Sequence, residues 1–172
     1  MLFLRHKKWG GRDLNEDITV VIINIILFAQ SYYSIWFDYD SFLLNDNKLL
    51  VFHSFDDVQN YCMHKYNKKA NVWTLNFDET TISDCSLFLD KWNVVGDIAK
   101  TLNCDFVGNK DSCTNLYSKF VYGANLPTMN NTDKKYIPSF DKEELHQIAN
   151  VTSDMTRVLK LALEIDAPQY LC

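Results

Sequence analysis

Glycine is scarce in this chain, with five residues in 172. Backbone cradles for phosphate rely on closely spaced glycines. Neither G-x-x-x-x-G-K-[ST] nor G-x-G-x-x-G occurs, so nucleotide binding through such a loop is not expected. The five cysteines, Cys62, Cys85, Cys104, Cys113 and Cys172, include no C-x-x-C pair and are odd in number. That argues against a disulfide framework or a zinc site, and for reduced, mostly buried thiols in a reducing compartment. His6, His53, His64 and His146 form no H-E-x-x-H or H-x-x-x-H frame, so no metal centre and no cofactor is expected.

A long hydrophobic run is also missing. The longest nearly apolar stretch, Ile18–Ala29 (ITVVIINIILFA), has twelve residues, short of the roughly 20 a transmembrane helix needs. Its length suits the core of a signal peptide. However, Glu16 and Asp17 stand where positive charge is expected, and Leu27-Phe28-Ala29 is a poor small-x-small cleavage site. Its β-branched residues suit a buried strand. Composition shifts at Ser31. Residues 1–30 therefore read as an extension, a strand or an over-long start, and residues 31–172 as one globular domain.

What is present is aromatic and acidic. Aromatics make up 14% of the chain, enough for a core and an exposed patch. Net charge is −5, and residues 31–172 alone carry 13 basic and 19 acidic side chains. An acidic surface repels phosphate backbones, so direct nucleic-acid binding is disfavoured and a basic protein partner is favoured.

Along the chain, Tyr32–Asp38 reads as a strand. Ile35 and Phe37 lie on one face, Ser34 and Trp36 on the other. Asn45-Asp46-Asn47 marks a turn, and Lys48–His53 reads as the strand returning in an antiparallel hairpin. Ser54 with Asp57 caps a helix that places Phe55, Val58 and Cys62 on the sheet. Asn71–Phe77 alternates as a third strand. Across Ser83–Asn103, Cys85, Phe88, Trp92, Val95, Ala99 and Leu102 form one helical stripe, and Gly96 within it offers room for a close approach. Asp105–Val107 is at most a short strand. Asp111–Tyr122 predicts a helix with Leu116, Phe120 and Cys113 inward. Gly123–Pro138 is the longest loop. Asp141 with Glu144 opens a final helix, whose stripe from Ile148 to Ile165 runs until Pro168. The order predicts an α+β domain: a small antiparallel or mixed sheet packed with helices, and a helical C-terminal half.

Asp38-Tyr39-Asp40 follows an apolar strand, as the Asp-x-Asp of haloacid-dehalogenase-type hydrolases does. A small magnesium-dependent phosphohydrolase using Asp38 and Asp40 is thus one reading. A turn and a strand follow the pair, where that class has a strand-to-helix transition, and paired carboxylates act only when positioned and tuned. The other reading is binding. Asp38, Tyr39, Asp40 and Asp46 at the first hairpin, with Asp78 and Glu79 after the third strand, would line a partner surface if they share one edge. Tyr33, Trp36 and Tyr39 would serve as aromatic anchors.

The opening YYSIWFDYD, the NDNKLLVF hairpin, the D-x-x-Q-N-Y-C helix, the W-N-V-V-G-D-I-A-K helix and the G-x-N-L-P turn together resemble immunity proteins of bacterial contact-dependent growth inhibition systems, over roughly residues 31–165. The resemblance implies a cytoplasmic, non-enzymatic, non-membrane protein. It would bind the C-terminal toxin domain of its cognate adhesin, often a nuclease, and occlude its active site or substrate surface. The family has no universal contact motif, so no residue role is carried over. A non-enzymatic adaptor without toxin biology is a third expectation.

Overall fold

The nearly unbroken apolar run before Ser31 forms the centre of the fold. In a computed structural model that describes residues 19–38, 40–79, 82–126 and 135–165, β1 (Val20–Leu27) lies between β2 (Gln30–Phe37) and β6 (Asn71–Asn76). It pairs antiparallel with β2 and parallel with β6. A strand flanked on both sides and covered on both faces has no polar side to show, hence VVIINIIL. The short β3 (Ser41–Phe42) adds to the outer edge of β2, giving the order β3-β2-β1-β6. The hairpin of β4 (Leu44–Asn45) and β5 (Lys48–Leu49) forms a second, two-stranded sheet.

The pairing differs from the sequence expectation. The main partner of β2 is β1, not Lys48–His53. The latter segment supplies β5 to the small hairpin and meets β2 at an isolated antiparallel bridge, Tyr33–Phe52, and where the Ser34 hydroxyl donates to the Leu50 carbonyl at 2.9 Å. The turn joining β1 to β2 is Phe28-Ala29, both with positive φ (53° and 57°). Two-residue turns of this hand normally carry Asn-Gly or Asp-Gly, so the turn carries no residue signal. Its strain is met from elsewhere: the Asp78 carboxylate accepts the Phe28 N–H and the Ala29 N–H, each at 2.7 Å. Ser31, where composition shifts, is thus inside β2, and a boundary there would cut the main hairpin.

The two faces of the sheet are covered unequally. α1 (Phe55–Tyr66), capped by Ser54, lays Val58 and Cys62 on Ile22 and Ile35. The larger core lies on the opposite face. It packs Val21, Ile23, Ile25, Trp36 and Leu75 against α2 (Cys85–Leu102), α3 (Thr114–Gly123) and α4 (Lys142–Ala162). The α2 stripe is inward as expected, with Asp84 as its cap, and a 3-10 turn, Asp111–Cys113, precedes α3. Val107–Asn109 is a 3-10 turn rather than a strand. The capping box of Asp141 and Glu144 opens α4. The helix ends before Pro168, which lies outside the described residues: Glu164 turns left-handed (φ 53°) and the Ile165 N–H reaches back to the Lys160 carbonyl at 3.0 Å. The architecture is α+β, with the helical C-terminal half on one face of a mixed sheet.

Candidate partner-binding groove

At the C-terminal end of β2 the chain turns sharply. Asp38 adopts φ 48°, and its carboxylate accepts the Thr19 N–H at 2.9 Å, closing the open end of the β1–β2 ladder. Asp40 lies just beyond and forms an ion pair with Lys100 of α2. Trp36, one strand turn earlier, points to the α2 side and donates its indole N–H to Asp97 Oδ2 at 3.2 Å. Asn93, Gly96, Asp97 and Lys100 follow the helical spacing of one face, so α2 presents a polar strip beside its buried stripe.

The segment after α2 supplies the opposite wall. Two features of α4 pin it: Asp154 Oδ2 accepts the Val107 N–H at 2.7 Å, and Arg157 donates to the Asp105 carbonyl. The Trp92 indole N–H donates to the Gly108 carbonyl at 3.2 Å, and the Tyr117 hydroxyl to Asn93 Oδ1 at 2.8 Å. Between the walls lies a groove of about 610 Å³, floored by Trp36 and Trp92 and rimmed by Asp97, Lys100, Lys110 and Tyr117. Two glycines allow the close approach of the walls. A Cβ on Gly96 would stand 3.0 Å from Asn109 Oδ1; one on Gly108 would stand 2.5 Å from the Phe106 ring and 2.6 Å from Trp92 Nε1. The room expected at Gly96 is taken by Asn109.

Asp97 is the electrostatic oddity of the groove. Burial pushes its carboxyl up to about 6, and the neighbouring Asp40 adds to that, against the pull of the Trp36 N–H and the Lys100 charge. Lys100 is shifted upward by its bond to Asp40.

The residues expected to bind a partner do not form one surface. Asp38 and Asp40 sit at one end of the sheet. Asp78 and Glu79 follow β6, which runs parallel to β1 and so delivers them to the opposite end, about 25 Å away for an eight-residue strand. There Asp78 clamps the Phe28-Ala29 turn, and the Glu79 carbonyl accepts from the buried Lys91 at 2.6 Å. Asp46, with φ 51°, forms the β4–β5 turn with Asn47. Tyr39 lies outside the described residues. For the phosphohydrolase reading, the carboxylates of Asp38 and Asp40 are engaged by different partners, a backbone N–H and a lysine.

Sequence reasoning missed Asp97, Lys100, Asn93 and Tyr117, because their spacing opposite an apolar stripe reads as an ordinary solvated helix face. Gly96 inside that stripe was the one local signal. Among the described residues no cluster of His, Cys, Asp and Glu is arranged to hold a metal ion, and no helix is long and apolar enough to cross a membrane. No protein-family model, curated protein or solved structure matches the chain.

Proposed function

We propose that this protein is an immunity protein: a cytoplasmic, non-enzymatic inhibitor that binds the C-terminal domain of a cognate toxin and occludes its active site or substrate surface. A basic nuclease is the toxin class that suits it. The observation that carries this reading is the convergence of Trp36, from the block that resembles the immunity family, with Asp97 and Lys100 of α2 on one groove, where Asp40 of the same block pairs with Lys100. A rigid, part-aromatic recess in an acidic chain suits recognition of a basic partner, where charge sets the encounter rate and indole-lined recesses favour anchoring.

Co-expression with the toxin domain encoded beside it tests the proposal. The expected outcome is protection of the cell and a one-to-one complex whose association slows as salt rises, because exposed charges are screened beyond roughly 8 to 10 Å at physiological ionic strength. Cells that die despite the protein, with no complex recovered at low salt, would rule it out.

A further inference from the structure

The two edges of the main sheet are not alike. β3, on one side, has two residues, too short to seat a neighbouring strand firmly. β6, on the other, has six, NVWTLN, and runs in unbroken register along β1 from Asn71 to Asn76. The Phe77 N–H donates to the Ile26 carbonyl at 2.8 Å, which fixes the alternation. Asn71, Trp73 and Leu75 turn their backbone groups to β1, and Val72, Thr74 and Asn76 turn theirs outward. Among the described residues, those outward N–H and C=O groups have no hydrogen-bond partner. Asn71, Val72 and Thr74 are exposed, Val72 by 47%. The strand carries no bulge, proline or charge, the devices that usually guard an edge. Charges stand at its two ends instead. Lys68 and Lys69 precede it, Asp78 and Glu79 follow it, and all four are exposed.

We infer that this edge is a self-association surface: β6 pairs antiparallel with β6 of a second copy of the chain, with Thr74 opposite its own mate. This register sets Val72 opposite Asn76, so every outward backbone group of the strand gains a partner. It also sets Lys69 opposite Glu79, twice by the two-fold symmetry. The Asp78 carboxylate is held by the Phe28-Ala29 turn, which leaves Glu79 as the acid for the lysine to meet. The order of charges selects the occupant. A basic start and an acidic end make the segment complementary to its own reverse, whereas a parallel copy would set lysine against lysine. The contact is also closed. Both long edges are consumed, and the doubled sheet ends at the short β3 on each side. No residue of β6 lines the groove, so each copy keeps its own, and the inference does not rest on the toxin reading.

Sedimentation equilibrium of the full chain alone, at low salt and about 100 μM, reads the association; a dissociation constant of about 10 μM already makes the dimer dominant there. The expected mass is that of two chains of 20.1 kDa. Lys69→Glu and Glu79→Lys, made singly, should each weaken association by about tenfold or more, because each sets like charges together at two places. Mixing the two variants should restore the dimer, since the mixed pair again sets opposite charges together. Damage to the fold cannot produce that rescue. Thr74→Pro removes an outward N–H that β1 does not use, and should give a monomer with wild-type far-UV circular dichroism. If that variant does not fold, the charge pair decides. The mass of one chain at this concentration overturns the inference. So does a dimer that the substitutions leave unmoved, a variant pair that mixing does not rescue, or growth into larger species, the mark of an edge that does not close.

Discussion

Asp78 and Asp97 are both carboxylates next to backbone or indole N–H groups, yet they do opposite things to stability. Asp78 sits in the open, takes two N–H groups at 2.7 Å and holds a turn whose residues would not choose it. Hydrogen bonds to a charged acceptor contribute more than neutral ones, so Asp78→Ala should cost about 2 kcal/mol, read as a lower urea midpoint with unchanged slope. Asp97 is half-buried and its carboxyl rises from 3.8 to about 6. Between those values the folded chain holds a proton that the unfolded chain has lost. Stability therefore falls as pH rises through this window and levels off above it. Asp97→Asn should flatten that part of the profile and make the protein more stable than wild type at neutral pH; a set of urea midpoints from pH 4 to 7 measures it. Equal slopes in the two proteins would contradict the assigned environment.

At the scale of elements, the helices were legible and the strand partners were not. α2 and α4 announce themselves by a stripe and a cap, information held within one turn of chain: Asp141 and Glu144 make the expected capping box, and the α2 stripe is inward. The β1–β2 hairpin does not, because its turn is Phe28-Ala29 and its stabilising group, Asp78, lies 50 residues from Phe28. The groove belongs to the same class of facts. Its shape depends on Gly108 meeting Trp92, 16 residues apart. Gly108→Ala would push a methyl against two rigid rings, and overpacking of this kind costs about 1–3 kcal/mol. The variant should unfold at lower denaturant and show an altered Trp92 environment in fluorescence.

For the molecule as a whole, β1 is the decisive segment. It is hydrogen-bonded to β2 and β6 and lies under helices on both faces. A chain started at Ser31 would expose the facing edges of β2 and β6 and lose Ile22, Ile23 and Ile25, all fully buried. Such a chain should show neither a cooperative unfolding transition nor wild-type far-UV circular dichroism. A cooperatively folded product would mean that the sheet can close without its centre. The acidic balance of residues 31–172 acts at this scale too, through the field that a partner meets before any contact forms.

What the sequence by itself determined is local: which segments are helices, where they begin, which face of each is apolar, and that a β-branched run suits a buried strand. Periodicity and capping act over a few residues, so they can be read without a fold. Tertiary structure alone decided that this run is the central strand, that Asp38 and Asp78 lie at opposite ends of the sheet, and that Asp97 is half-buried beside Trp36. Each depends on groups brought together from far along the chain, where strand order and burial, rather than residue type, set a carboxylate's partners and its charge.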